Sequence, residues 1–538
     1  MPGSPASPDH PLGRQIAYIL IGIYIGLTAG LQNGLLLANL TTLQGNLGLT
    51  PVESGWITVA YSMTNACASI LLFKARQQFG IQRFVRVCMV ALLTANFAQL
   101  FDAGYTLELI ARGMSGLAAS GLVTLASFYI MQGLPAKARL AGLLLGVGLA
   151  QVAIPMARAL SPLLLESGDI ARLFELQFGM SLITVGLVYL LRLPPGETVK
   201  AFEKLDLVTF PLLAGGIGLL CAFLVQGRVQ WWTTPWLGEA FATSILLIGA
   251  AFIIEQNRAN PMLQTRWMGS REVVLLAITA ASIRVLLSEQ NFGASGLLTT
   301  LGMSNDQLVT YYWMLSGAAL AGLLVSIIRL DPQDLRRPVM AALAVIALAA
   351  FFDIGVGTMT RPADLYWSQA AIAFAAVYFM GGILMEGLLR ALSRGPEYIV
   401  SFIAVFGLSQ TLGGLAGASA FAAFHTIRVK THLMTIGSDL ALSNPLVAQA
   451  VQRSAANYNM AIQDPALRQA TGASQLVQRA GRDAAVLAFN DFFLLVGILA
   501  SLTFLLLFAR WSYYRRRGIN PLEKELAALQ SAMAGSRE

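Results

Sequence analysis

Long apolar runs, separated by short polar connections, dominate the pattern of the chain. A helix needs about 20 mostly apolar residues to cross a bilayer, and fourteen of the runs meet that length. The pattern therefore predicts an all-α membrane protein with fourteen spans, at about 15–38, 52–73, 84–101, 107–131, 139–161, 173–191, 207–226, 236–255, 272–298, 307–328, 338–357, 366–389, 397–424 and 486–509.

Composition supports this prediction, because 56% of the 538 residues are hydrophobic and only 12% are charged. Of the 36 Lys and Arg residues, 24 fall in the connections on the side of the termini, against three in the short connections opposite. Such an excess marks the cytoplasmic side of a membrane, so both termini are expected in the cytoplasm. The net charge of +8 is then an orientation signal, and neither nucleic acid nor a metal is expected as a partner.

The ninth span carries charged residues in the middle of an apolar run. Arg284, Ser288, Asn291 and Ser295 recur at helical spacing and share one face, whereas Glu289 lies about 140° around the helix from Arg284. An Arg at mid-membrane costs about 2.5–3.5 kcal/mol, so it needs a partner or a use. The face is either a buried polar patch that locks helices together or part of a path for substrate or protons.

Polar residues at helical spacing also occur in other spans. Gln32 lies in the first span, Asn65 in the second and Arg158 in the fifth. Glu108 and Arg112 in the fourth span are four residues apart and are expected to form a structural ion pair near the periplasmic end. Several such stripes together favour a polar central cavity, although small polar residues also join helices to one another.

The largest predicted piece outside the membrane is the connection 425–485, which is too long for a plain loop. It is either a disordered or self-packed cap or a docking surface for a periplasmic partner. The predicted organisation is an N-terminal six-helix bundle, an inserted transmembrane hairpin, a C-terminal six-helix bundle that contains 425–485, and a cytoplasmic tail, at 1–192, 193–260, 261–510 and 511–538.

Several segments together resemble the major facilitator superfamily, and most closely its fourteen-span drug:proton antiporter branch of the EmrB/QacA type. The match is at the motif level over roughly the first 160 residues and the last span. The segments are Leu31–Asn39, Gly55–Tyr61, the basic loop Phe73–Arg83, Arg112–Gly116, Ile154–Pro162 and Ala485–Phe493.

The resemblance implies a major facilitator fold of two six-helix bundles plus two inserted helices. It implies proton-driven efflux, with the proton gradient in place of a cofactor, and a transporter rather than an enzyme. Gram-negative members work with a periplasmic membrane-fusion adaptor and an outer-membrane channel. We expect Glu289 to carry the proton and Arg112 and Glu108 to take part in coupling. The cargo site is expected to contain Gln32, Asn65, Arg158, Arg284, Ser288 and Asn291.

The chain departs from the family pattern at two positions that bear on cargo. Gln32 stands where the family usually has an Asp, and Arg158 lies in or near a position that is normally Gly-Pro. The absence of the acid at Gln32 and the presence of Arg158 favour an anionic amphiphile as the cargo, by charge complementarity. Two other functions stay open at this point: an uptake symporter for organic acids, and a non-transporting receptor or scaffold whose motifs have decayed.

Overall fold

The structure is a computed structural model that describes most of the chain. The described residues are 10–101, 104–135, 138–165, 170–194, 202–258, 260–331, 333–395, 397–440 and 444–518, with 522, 523, 525 and 527. Most of the predicted tail 511–538 beyond residue 518 lies outside them.

The described residues form helices and no strand. The first part of the chain contains α1 Leu12–Ala38, α2 Leu40–Asn46, α3 Pro51–Ala98, α4 Tyr105–Gly133, α5 Arg139–Leu164, α6 Ala171–Leu190, α7 Asp206–Gln230 and α8 Pro235–Gln256. The second part contains α9 Thr265–Met268, α10 Arg271–Leu286, a π-helix Gln290–Ala294, α11 Ser295–Thr300, a 3₁₀ turn Asn305–Leu308, α12 Val309–Ile328, α13 Arg336–Phe352, a 3₁₀ turn Pro362–Leu365, α14 Tyr366–Leu392, α15 Glu397–Asp439, α16 Pro445–Ala456 and α17 Pro465–Arg516.

Eleven helices in this part of the chain are long and apolar enough to cross a membrane. The other three predicted spans correspond to the first half of α3, to the interrupted α10–α11 segment and to α13, which has 17 residues. The all-α fold is confirmed. The structure is compatible with fourteen spans, and that count stays a prediction, as do the domain boundaries.

Local signals explain how α3 contains two predicted spans. The Thr50 hydroxyl accepts from the Glu53 amide while the Glu53 carboxylate accepts from the Thr50 amide, a capping box that starts the helix at Pro51. Gly80 has φ +79°, a conformation that glycine adopts without a steric penalty. The helix direction changes there, inside the predicted basic loop Phe73–Arg83.

Small residues bring the helices of the N-terminal bundle close together. A Cβ on Gly30 of α1 would lie 2.2 Å from the carbonyl oxygen of Ala150 on α5, so only glycine permits this approach. The inserted helices pack elsewhere, since Ile217 and Cys221 of α7 lie in one apolar cluster with Val59 of α3. The Ser419 hydroxyl of α15 donates to a carbonyl of α7. The α7–α8 hairpin therefore contacts both halves of the chain.

A buried ion cluster fastens this hairpin at its predicted cytoplasmic end. Asp206 at the start of α7 accepts a hydrogen bond from Lys74 of α3 at 2.9 Å and forms an ion pair with Arg258 at 2.7 Å. Arg258 also bonds Glu255 of α8 at 2.6 Å, and the exposed Glu203 at 3.0 Å. Each buried charge in the cluster has an opposite charge within hydrogen-bond distance, as burial of ions requires.

The segment 425–485 is helical and packed on itself. α15 continues to Asp439, α17 begins at Pro465, and α16 lies between them, where a Cβ on Gly472 would lie 2.5 Å from the carbonyl of Val451. At the base, Asp491 of α17 accepts from Arg428 and bonds His432 of α15, both at 2.6 Å. Of the disordered and self-packed alternatives, the described residues of this segment adopt the self-packed one, and a role as a docking surface stays a prediction.

We predict that Asp206→Asn lowers the stability of the folded protein, because Lys74 is left buried without its counter-charge. Breaking a buried pair in this way costs about 3–5 kcal/mol, which detergent-solubilised protein should report as a lower melting temperature. Glu203→Gln is the matched control, since it removes an exposed acid from the same cluster. Equal melting temperatures for both variants and the wild type would show that the cluster does not fasten the hairpin.

Candidate functional site

A polar cavity lies between α5 of the first half and α10–α12 and α14 of the second half. Its volume is about 40 Å³, which has room for a few water molecules and not for a drug-sized compound. Its polar lining consists of Gln151, Arg158, Arg284, Gln290, Asn291, Ser295 and Tyr312.

Arg158 extends from α5 across the boundary between the halves. Its Nη1 donates to the Tyr312 hydroxyl of α12 at 3.2 Å, and the guanidinium lies 5.5 Å from the centre of that ring. Pro155, three residues earlier, lines the same cavity. No salt bridge within the described residues includes Arg158, so its charge faces an aromatic ring and the cavity.

Arg284 enters the cavity from α10, next to a glycine pair on α15. A Cβ on Gly414 would lie 3.3 Å from Arg284 Nε, and one on Gly413 would lie 3.1 Å from its Cβ, so larger residues there would press on the side chain. In the described part of the chain, Arg284 likewise has no carboxylate partner. Two cations thus share one cavity without a counter-charge.

The α-helix that carries Arg284 ends at Leu286, and the backbone that follows it is distorted. The backbone forms a π-helix over Gln290–Ala294, a distortion that often occurs at functional sites. Gly293 packs against Phe492 of α17, where a Cβ would meet the ring at 2.3 Å. The helix is therefore distorted around Gly293, and Asn291 and Ser295 line the cavity.

Glu289 points away from the cavity into a fully buried cluster. The side-chain nitrogen of Gln369 on α14 donates to Glu289 Oε1 at 2.9 Å and to Asp353 Oδ2, at the end of α13, at 2.8 Å. The exposed fractions of the three residues are 0%, 0% and 2%. Two carboxyl groups from different helices thus share one amide nitrogen.

Several polar atoms in this cluster have no hydrogen-bond partner. They include Glu289 Oε2, Gln369 Oε1 and the hydroxyl of Tyr311. Tyr311 stands next to Tyr312 in the chain, and its hydroxyl is close enough to interact electrostatically with Glu289, Asp353 and Arg158. The acid cluster and the cationic cavity are therefore neighbours, separated by two tyrosines.

Four members of this arrangement did not emerge from the sequence. Asp353 ends an apolar run, where an acid is ordinary, and Gln369, Tyr311 and Tyr312 sit singly within spans. The only signal was a charged or amide side chain inside a span, and that signal does not identify a partner on another helix.

Three of the predicted cargo residues lie at helix contacts outside the cavity. Gln32 and Gln177 of α6 each donate to the other's backbone carbonyl, at 3.3 and 2.9 Å. Asn65 donates to the carbonyl of Gly116 at 3.2 Å, and Ser288 donates to that of Gly414 at 3.3 Å. The structure brings together Arg158, Arg284 and Asn291; the roles of all six stay predictions.

Glu108 and Arg112 do not form the predicted ion pair. Arg112 Nη2 donates to Asn33 of α1 at 2.8 Å and its guanidinium lies 4.6 Å from the Tyr61 ring, whereas Glu108 accepts from Gln99 at 2.9 Å. Both are buried and interact electrostatically, but each has found a polar partner on another element. Their part in proton coupling stays a prediction.

Comparison with known proteins places the chain among transporters. No protein-family model matches it. The multidrug export protein EmrB of Escherichia coli K12 is 23% identical over 487 residues, which cover 87% of this chain and 90% of that protein. The probable multidrug resistance protein EmrY of the same strain is 22% identical over 243 residues, or 45% of this chain and 47% of that protein.

Solved structures with the same fold are transporters as well. The POT family transporter PepTSo has a TM-score of 0.54 at 15% identity, covering 92% of this chain and 98% of its own. The major facilitator superfamily proton:xylose symporter XylE has a TM-score of 0.51 at 13% identity, covering 89% and 94%. The expectation of a transporter rather than an enzyme is confirmed by these relatives. The predicted resemblance is confirmed too: the chain is a multi-pass membrane protein with the major facilitator fold, and it is similar to multidrug export proteins.

Proposed function

We propose that this protein exports amphiphilic compounds, preferentially anionic ones, from the cytoplasm across a bacterial inner membrane at the expense of the proton gradient. The observation that carries the proposal is the pair Arg158 and Arg284, which face one cavity without a carboxylate partner among the described residues. The similarity to EmrB over most of both chains supports export as the direction.

The charge and the lining residues of the cavity indicate which class of cargo it would bind. Each arginine held at mid-membrane depth costs about 2.5–3.5 kcal/mol, and an anion that binds between the two offsets this cost. Most of the other lining residues are apolar, with Leu287, Leu315 and Val377 among them. An anionic head group on an apolar body fits both features.

Transport requires the cavity to change size. A volume of about 40 Å³ excludes such a cargo, so the two halves must separate around the site on one side of the membrane at a time. The Arg158–Tyr312 contact joins the halves at that point, and a cargo anion on Arg158 would compete with it. Cargo binding would thereby loosen a contact that holds the cavity small.

Glu289 is our proposed proton carrier. It is fully buried, has no cationic partner in the described part of the chain, and adjoins the cavity through its neighbour Gln290. A carboxyl in such a place binds and releases a proton at low cost only when the surroundings change. Arg112 and Glu108, buried in the N-terminal bundle, would modulate this coupling from the other half.

The helical extension 425–485 is proposed to dock a periplasmic membrane-fusion adaptor, which in turn would reach an outer-membrane channel. It carries exposed apolar side chains, with 75%, 73% and 100% exposed fractions at Met434, Leu446 and Met460. Exposed apolar side chains of this kind offer contact area to a partner. This surface faces the periplasm if both termini are cytoplasmic.

A second candidate is uptake of organic acids together with protons. The observation in its favour is the short path from the acid cluster to Arg158 through Tyr311 and Tyr312. A cargo anion and a bound proton would stabilise each other there, which suits transport in the same direction. Cells that lack the protein should accumulate more of an aromatic or fatty acid if it exports, and less if it imports.

We predict that Arg158→Gln and Arg284→Gln each weaken binding of an anionic amphiphile by about 10–100-fold. A hydrogen bond to a charged group contributes about 1.5–3 kcal/mol, and each 1.4 kcal/mol is tenfold. Binding to purified protein is measured for the anion and for its neutral amide analogue. Arg361→Gln, at the exposed start of a 3₁₀ turn, is the control. Equal losses for both ligands would contradict an anion site.

We predict that Glu289→Gln abolishes transport driven by a pH gradient in proteoliposomes while cargo exchange across the membrane continues. Gln keeps the size of the side chain but cannot carry a proton. Glu175→Gln, at an exposed position on α6, should leave transport at the wild-type rate. Gradient-driven transport at that rate in Glu289→Gln would exclude Glu289 as the carrier.

We predict that Leu446→Asp combined with Met460→Asp lowers the amount of a co-expressed adaptor that purifies with the protein. Charged residues at the centre of an apolar contact are costly to bury, so the complex should be lost. Transport by the purified variant in proteoliposomes should be unchanged, since neither residue lines the cavity. Undiminished recovery of the adaptor would show that docking occurs elsewhere.

A further inference from the structure

We propose that Glu289 and Asp353 bind one proton between them as a single unit, with Gln369 as the positioning residue. This deepens the proposed proton coupling, which names Glu289 alone. It rests on the geometry of the cluster and can be tested without any transport measurement.

The hydrogen bonds around Gln369 define the unit. Its side-chain nitrogen has two hydrogens, and one is directed to each carboxyl group, at 2.9 and 2.8 Å. Because both bonds end on the same nitrogen, the two carboxyl groups are held within reach of each other's charge. They come from separate elements, the residue before the π-helix and the residue that ends α13.

Nothing nearby neutralises two negative charges. No salt bridge within the described residues includes Glu289 or Asp353, and Glu289 Oε2 has no hydrogen-bond partner. Two like charges on one donor in a buried site cannot both be tolerated, so at least one carboxyl must be protonated. Groups that interact this strongly gain and lose protons as a pair.

Within the described residues, the surrounding elements supply polar groups to the pair but no salt-bridge partner. On α12 the Tyr311 hydroxyl faces the pair, and on α14 the Ser368 hydroxyl lies beside Asp353. From α17, Asn490 bonds the backbone just after Asp353 at 2.8 and 2.9 Å. Arg158 interacts with Tyr311, and its hydrogen bond goes to Tyr312 rather than to either carboxyl group. The charge of the pair is therefore set by protons.

The protonation state of the pair would change how the surrounding helices pack. With one proton bound, Gln369 can hold the end of α13 and the π-helix together. Without it, two carboxylates repel each other across the junction of α13, α14 and α10. Gln290, which lines the cargo cavity, donates to the backbone carbonyl of Gln369 at 3.2 Å and would follow that movement. The device thus connects proton loss to the wall of the cavity.

The test is an infrared pH titration of the carboxylic-acid carbonyl band in detergent-solubilised full-length protein without cargo. Two coupled acids titrate in two well-separated steps. With Glu289→Gln or Asp353→Asn, the remaining acid should show one step that lies between the two wild-type steps. Gln369→Leu should bring the two steps closer together, because repelled carboxylates can move apart once the shared donor is gone.

Asp491→Asn is the matched control and should leave both steps unchanged, since Asp491 bonds Arg428 and His432 outside the cluster. Melting temperatures identify variants that fail to fold. If Glu289→Gln or Asp353→Asn fails to fold, the titration of the other variant decides whether the two acids are coupled. If each single variant retains one wild-type step at its original pH, the acids are independent and the proposal is wrong. A shared proton in a protein without gradient-driven transport would instead refute only the proposed function.

Discussion

Ionisable side chains at membrane depth are the constraint on which the rest of this structure depends. A charge in hydrocarbon must be paired, neutralised by a proton or given access to water. The described residues meet this constraint in different ways. Lys74 and Arg258 pair with Asp206 and Glu255 at the predicted cytoplasmic end. Glu289 and Asp353 share an amide nitrogen without a salt-bridge partner, and Arg158 and Arg284 face one cavity without a carboxylate partner. The ion pairs fasten the fold, and we propose that the other two arrangements are sites for a proton and a cargo.

The sequence was sufficient to predict features that lie within a single helix. Helical spacing placed Arg284, Asn291 and Ser295 on one face, and all three line the cavity in the structure. What depends on two helices was not predictable in the same way. Glu108 and Arg112 had the spacing of an ion pair, yet each bonds an amide on another element, because tertiary neighbours compete with the partner four residues away.

The same limitation explains why the sequence did not predict the composition of the candidate site. Arg158 and Arg284 are far apart in the chain and meet only through the packing of α5 against the second half. Polar stripes gave no means of separating Asn291, which lines the cavity, from Asn65, which bonds a backbone carbonyl between α3 and α4. Asp353 and Gln369 had no distinguishing pattern at all. Their importance appears only where three helix ends converge on one buried nitrogen.

The central claim is that the charged cavity belongs to a water-filled passage between two moving halves. Its most direct test is reactivity of Asn291→Cys toward a membrane-impermeant thiol reagent, since the native Cys67, Cys88 and Cys221 are all buried. The account predicts labelling from either side of the membrane, with the favoured side changing when the pH gradient is reversed, and protection by an anionic amphiphile. Absence of labelling from both sides under either gradient would mean a sealed seam and would contradict it.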